Sequence, residues 1–334
     1  MFALKPIYRQ TVWEKFLLAS NQVNFLHSWQ WGEMQRRLFR PVFRWGLYRD
    51  SRLAGLIQLI KVKAKRATYF ECPGGPVIDW RQPTVHWLLA YLKAWAKTEG
   101  ASFIRLRPNI LANRENLALV YQAGARRAPM HLTAETTWVL PLEPAEAVLL
   151  AGMRKTTRYL IRKAAKLGVA VTASAAVADI DQLFALQAET VGRKHFVPFS
   201  REYFLAELRA FAPDHIRLFK ASIRGKLLAI AMIIFYGREA VYHYSGSSSE
   251  YRDIPASYLL QWEVIKFAKK IGCRRYNFWG YTDNPRHRFF GPSLFKQGFG
   301  GQRLDYLPAH DLIVAPAYWF NFAVETWRRH WRRL

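Results

Sequence analysis

"RLAGLIQLI" (Arg52–Ile60) and "KLLAIAMII" (Lys226–Ile234) read as two copies of one strand, and that likeness decides the fold of this 334-residue chain. Further on, "WAKTEGASFIRL" (Trp95–Leu106) is matched by "FAKKIGCRRYNF" (Phe267–Phe278) at nearly the same offset. A near-constant offset between two separate pairs marks a duplicated unit. Each unit opens with a strand pair, "VFRWGLYRD" then "RLAGLIQLIKV" in the first. A helix follows, "TVHWLLAYLKAWAKTEG" or "ASYLLQWEVIKFAKKIG". Each helix closes on a glycine suited to the left-handed C-terminal position, Gly100 or Gly272. A short strand completes the unit. The expectation is an α/β chain with mixed sheets, antiparallel at one edge, in two domains related by duplication. The changeover is expected near "TTWVLPLEPAE", giving domains 1–143 and 144–307. The last segment, "APAYWFNFAVETWRRHWRRL", reads as an amphipathic basic helix.

Half of the residues are hydrophobic, enough for a large core and too many for global disorder. Aromatics make up 15%, with 13 tryptophans, so aromatic-lined grooves are expected as well as core. The formal net charge is +26, with basic residues spread from Lys5 to Arg333. Such a field attracts RNA, nucleotide diphosphates or anionic lipid headgroups and by itself chooses none of them. Cys72 and Cys273 are far apart and form no framework or CxxC pair, which fits a reducing compartment. "MFALKPIYRQ" lacks the apolar segment of a leader, and "LLAIAMIIFYG" falls short of the ~20 residues of a membrane span. A cytoplasmic protein is expected, one that can touch a membrane without crossing it.

"MRKTTRYLIRKAAKLGV" (Met153–Val169) places Arg154, Arg158, Arg162 and Lys166 on one helical stripe, widened by Lys155 and Lys163. Like charges at that spacing destabilise a helix, so a phosphate or RNA contact competes with a solvated basic face as its explanation. "AVYHYSGSSSEY" (Ala240–Tyr251) is a strand in which Tyr242 and Tyr244 should share one face and His243 the other, either as packing or as an aromatic groove wall. "SLFKQGFGGQ" (Ser293–Gln302) sets three glycines around Lys296. It is a poor phosphate cradle: Gln302 stands where an acetyl-CoA loop needs a small residue. The chain also has no GxxxxGK[ST] loop, GxSxG elbow, HExxH or zinc spacing, and no metal or bound cofactor is expected.

Together "HSWQWGEM", "PGGPVIDW", "MRKTTRYLIRKAAKLGV", "YHYSGSSSEYRDIPASYLLQWEVIKFAKKIGC" and "LFKQGFGG" resemble, in order and spacing, the FemABX family of peptidoglycan-bridge aminoacyltransferases. The resemblance spans nearly the whole chain. It implies two acetyltransferase-like (GNAT-like) domains, with residues 308–334 returning to the first. It implies an aminoacyl-tRNA donor and a peptidoglycan precursor acceptor, either lipid II or UDP-MurNAc-pentapeptide. Phe295 and Lys296 match the family's Phe-Lys motif, where a fixed ammonium would stabilise charge developing on the ester being attacked. Tyr203 matches a substrate-contacting tyrosine, and Tyr242 or Tyr244 matches a second. Arg36 falls near a family lysine. A family arginine that binds precursor phosphates is replaced by Phe199, leaving Arg193, Lys194 or Arg201 to substitute. Arg107 stands where a carboxylate was once considered as base, so no side-chain base is evident. The long helical hairpin that binds tRNA in the family is missing, as in its short form, which leaves Arg154, Lys155, Arg158 and Arg162 for tRNA or phosphate contact. The alternatives are an acyltransferase acting on a non-cell-wall amine or using a CoA donor, and a non-catalytic RNA- or membrane-binding protein. The C-terminal "WRRHWRRL" would let the protein rest peripherally on anionic lipid.

Overall fold

The computed structural model describes residues 1–81, 83–194 and 199–332; the side chains of 190–194 and 332 lie outside the description. The chain divides into two compact units, Met1–Glu135 with Asp305–Leu334, and Thr136–Leu304.

In the first unit the elements are β1 (Phe2–Pro6), α1 (Gln10–Ala19), α2 (Trp29–Arg37), β2 (Val42–Arg49), β3 (Arg52–Lys63), β4 (Thr68–Gly74), α3 (Thr84–Thr98), β5 (Phe103–Pro108), α4 (Arg114–Gln122) and β6 (Ala125–Arg127). The second unit follows with β7 (Thr136–Pro141), α5 (Glu146–Ala151), α6 (Lys155–Lys166), β8 (Ala170–Ser174), α7 (Asp179–Lys194), α8 (Arg201–Phe211), β9 (Ile216–Ile223), β10 (Lys226–Tyr236), β11 (Glu239–Ser247), α9 (Ala256–Lys270), β12 (Arg275–Gly280), α10 (Phe290–Gln297) and β13 (Gln302–Asp305). The chain ends with β14 (His310–Ile313) and α11 (Tyr318–Arg332) in the first unit.

The sheets run β1-β2-β3-β4-β5-β14-β6 and β8-β9-β10-β11-β12-β7-β13. They are the same sheet twice. The repeated "RLAGLIQLI" and "KLLAIAMII" are β3 and β10, third in each order. The repeated helix-strand pairs are α3–β5 and α9–β12. In each sheet a parallel pair, β4 with β5 or β11 with β12, sits among antiparallel neighbours, because a helix must cross between parallel strands. The sixth strand comes from opposite sides of the repeat: β14 from the far end of the chain, β7 from just ahead of the second copy. The division of the chain therefore comes before β7, at Glu135/Thr136, and not near 143. Thr137 to Pro141 pair with β12, which ties this segment to the second sheet.

Two quoted segments meet inside the first unit. Ser28 caps α2, its Oγ accepting from Trp31 N–H at 3.1 Å. His27 is buried and donates from Nδ1 to Pro73 O at 3.1 Å, while its Nε2 accepts from Gln58 N–H at 3.2 Å. Burial holds the ring's pKa down at about 4, so it stays neutral in this role. The Arg44 guanidinium lies 3.7 Å over the Trp29 ring and donates to Glu33 and to Trp29 O. A side chain on Gly32 would meet that guanidinium at 2.1 Å, so "HSWQWGEM" needs its glycine for close approach. These contacts account for "HSWQWG" and "PGGP" as packing motifs.

Candidate active site

Lys296 occupies the last turn of α10, in the second unit. Its Nζ donates to Gly280 O, at the end of β12. Among the described residues no carboxylate pairs with it. Burial alone pushes its pKa from 10.5 down to about 7, because one carbonyl does not replace the hydration an ammonium loses. The helix holding it is locked on both sides: Gln297 Nε2 donates to Tyr281 OH, and Arg154 donates to Gln297 Oε1 at 2.8 Å. Phe295 meets Tyr258 and Phe299 edge-on, at 4.9 and 5.2 Å between ring centroids. It anchors α10 in the core; Lys296, the next residue, is aimed at Gly280.

The glycines after Lys296 are there for packing. Gly301 has φ +91°, and a Cβ there would lie 2.4 Å from Val139 O. Only glycine fits this return from α10 into β13 beside β7. "SLFKQGFGGQ" is thus a helix end and a tight turn, and the lysine is its reactive feature.

β11 and β12 pair only over Glu239–Val241 and Arg275–Asn277. Beyond Val241 the register of β11 on β10 slips, with Met232 facing Tyr244 but Ile233 facing Tyr242. His243 is the extra residue of a bulge. The expectation that Tyr242 and Tyr244 share a face is therefore wrong. Tyr242 packs with Ile233 on the core side under α9, its hydroxyl donating to Ser245 Oγ at 2.7 Å. Tyr244 turns the other way, toward α8. One inserted residue reverses the alternation on which the sequence reading relied.

On that second face an aromatic cluster forms. Tyr203 lies 4.6 Å from Phe199, Tyr244 lies 5.0 Å from Phe199 and 5.1 Å from Phe204, and the Tyr244 hydroxyl donates to Tyr203 at 3.4 Å. Burial, with Tyr203 and Glu207 nearby, raises the Tyr244 pKa well above 10, so the phenol remains neutral. Phe199 is thus a wall of this cluster, offering no charge for phosphate. Arg201 is committed to Asp181. Arg193 lies on α7, but its side chain and that of Lys194 fall outside the described residues.

Sequence reasoning missed three residues. His243 Nδ1 and Glu207 Oε1 are 2.6 Å apart and both buried, and Glu207 Oε2 has no hydrogen-bond partner among the described residues. Trp279, at φ +64°, packs edge-on against His243 at 5.4 Å. The next residue, Gly280, receives Lys296. A helical Glu in "REYFLAELRAF" carries no signal of burial; the strained Trp279 has none either. The structure links Trp279, His243, Glu207, Tyr244 and Tyr203 in one cluster across β12, β11 and α8, and Lys296 on α10 reaches the backbone of Gly280, the residue after Trp279.

The basic stripe of α6 is partly consumed by the fold. Arg154 precedes the helix and donates to Gln297, and Arg158 donates to Ala151 O at 2.8 Å. Lys155 and Arg162 remain exposed. Arg36, in the first unit, is paired with Glu33 at 3.1 Å on the surface of α2. Arg107 is buried and donates to Asn109 and to Ala134 O. Among the described residues no cluster of three or more His, Cys, Asp or Glu side chains could hold a metal, and no helix is long and apolar enough to cross a membrane.

Fold and site together define a tandem acetyltransferase-like protein. Residues 151–289 match the acetyltransferase (GNAT) domain, and residues 9–122 match the FemAB family. The chain is 35% identical over 92 residues to a lipid II:glycine glycyltransferase of Staphylococcus haemolyticus, a match covering 27% of this chain and 22% of that protein. It is 34% identical over 73 residues to the aminoacyltransferase FemA of Staphylococcus aureus, covering 21% of this chain and 17% of the relative. The matched stretches thus span about a fifth of these relatives' length. In overall fold it is similar to the crystal structure of FemX, with a TM-score of 0.84 at 18% identity over 97% of this chain and 100% of that one. It is similar also to a tandem GNAT protein from the clavulanic acid pathway, with a TM-score of 0.59 at 12% identity over 95% and 99% of the two chains.

Proposed function

We propose that this protein is an aminoacyltransferase of peptidoglycan bridge formation, moving an amino acid from aminoacyl-tRNA to an amine on the stem peptide of lipid II or UDP-MurNAc-pentapeptide. One observation carries the reading: a half-buried lysine with no carboxylate partner among the described residues, held by α10 at the end of β12. The activities of the staphylococcal relatives it resembles support it.

In the reaction the acceptor amine nitrogen attacks the ester carbonyl carbon of the aminoacyl-tRNA. The carbon–nitrogen bond forms, the carbon–oxygen ester bond breaks, and the proton lost by the amine ends on the departing ribose oxygen. Negative charge builds first on the carbonyl oxygen and then on the ribose oxygen. With a pKa of about 7, Lys296 is available in both protonation states near neutrality. An arriving anionic centre draws it to the ammonium form, where it stabilises that charge. Tyr203 and Tyr244 supply hydroxyls on an aromatic wall for the substrate. Lys155 and Arg162 offer exposed charges to tRNA phosphates. The donor is a substrate, and no resident cofactor takes part in this scheme.

The test is transfer of label from a mixture of radiolabelled aminoacyl-tRNAs to either precursor. Wild type should label a precursor, and Lys296→Met should lower the rate by about 10²–10³-fold, the usual effect of removing one such charge stabiliser. Full activity in the variant would remove Lys296 from this role. Absence of label with every donor, despite tight tRNA binding, would favour a binding protein.

A further inference from the structure

The final helix has two faces, and the first unit uses only one. Tyr318, Asn321, Phe322 and Glu325 form the inner stripe. Tyr318 OH donates to Asp311 at 3.2 Å, Glu325 accepts from Arg105 at 2.8 Å, and Arg126 lies 4.7 Å over the Phe322 ring. The opposite stripe is Phe320, Val324, Trp327 and Trp331, spaced so that all four fall on one side of the helix. Phe320 and Trp327 are each 63% exposed and Trp331 is 72% exposed. The indoles of Trp327 and Trp331 stack at 5.8 Å with their planes 7° apart, facing water. Arg328 flanks this outer stripe within the same turns, while Arg329, four residues after Glu325, continues the inner one. Glu325 is the one acid in α11, and it is turned inward to Arg105.

We propose that this outer face of α11 docks on an anionic phospholipid surface, with the helix lying along the headgroup boundary. Tryptophan is at home there, where an apolar ring meets water and carbonyls. A surface helix needs both an apolar face and a cationic rim to bind reversibly but firmly, and α11 has both. A bare polyanion would engage the arginines and leave Phe320 and two stacked indoles in water. A second copy would have to press one strongly cationic surface on another, against the repulsion of a chain at +26. Docking needs no unfolding, since the inner stripe stays pinned. The inference is independent of the transfer reaction.

Sedimentation of the full chain with vesicles free of peptidoglycan precursor tests it. The protein should bind phosphatidylcholine–phosphatidylglycerol vesicles and not pure phosphatidylcholine. Trp327→Gln with Trp331→Gln should weaken binding by roughly ten-fold or more, from the apolar area left in water. Arg328→Gln should weaken it by about five-fold, the worth of one basic residue at such a surface. Trp327 and Trp331 are largely exposed, so the Tm of the double tryptophan variant should not move. Lys296→Met should bind as wild type, whatever its transfer activity. Equal binding to both vesicle types would overturn the proposal. So would anionic binding unchanged by the tryptophan substitutions, which would assign it to the general basic surface. A wild-type dimer in light scattering that those substitutions dissolve would show that a second copy covers the face.

Discussion

Lys296 is a residue whose burial sets its chemistry and its cost. Its folded pKa is about 7 against an ordinary 10.5, so the folded state binds fewer protons than the unfolded chain between those values. Stability therefore rises as pH increases from about 7 toward 10.5, and the charged form is penalised below 7. Lys296→Met should raise Tm at pH 6, with a gain that shrinks as pH approaches 10; calorimetry across that range checks it. A gain independent of pH would mean that packing, and not charge burial, is responsible. Gly301→Ala should cost about 1–3 kcal/mol in denaturant unfolding, from a left-handed φ and a contact with Val139 O that leaves no room for a methyl group. The motif around Lys296 was legible in sequence, but the perturbed ammonium was not. It depends on Gly280 and on the residues that exclude water, none of them adjacent in the chain.

Elements carry the next level of the argument. The repeated strands and helices were readable because apolar runs, glycine stops and a regular offset are local signals. The face of Tyr244 was not, because a bulge is decided by how β11 fits β10. Tyr244→Phe removes one hydroxyl from an aromatic cluster that keeps its rings. It should leave Tm within about 1 °C, a surface-like change on a cluster still packed, and lower transfer if that hydroxyl meets substrate. A large loss of Tm would make Tyr244 structural. α11 and β14 are held by another element-scale device, the buried Arg105 paired bidentately with Asp311 at 2.7 and 2.8 Å and with Glu325. Burial opposes charge on Arg105, and the bonds to Asp311 outweigh it, so its pKa rises. Asp311→Ala should cost about 3–5 kcal/mol, since it strands a buried guanidinium. Chemical denaturation measures it, and a loss under 1 kcal/mol would show that Glu325 alone suffices.

For the whole molecule, charge is the largest signal. A net charge of +26 predicts that tRNA binding weakens steeply with salt, with a log–log slope of roughly −0.7 per phosphate neutralised. Filter binding at several salt concentrations checks this. Lys155→Gln with Arg162→Gln should reduce the slope by about one to two units if α6 contacts the RNA. An unchanged slope would move that contact elsewhere.

By itself the sequence determined the duplication, the α/β elements, the family likeness and the lysine to suspect. Each rests on patterns within short stretches of chain or on their repetition. Only the tertiary structure decided that β7 joins the second sheet as its sixth strand, and that two of the basic residues near α6 are spent on backbone and amide partners. The same holds for Glu207 and His243 meeting beneath Tyr244, and for the outward aromatic stripe of α11. Hydrogen bonding and burial between distant segments set these features, and neither composition nor periodicity encodes which distant segment a side chain will meet.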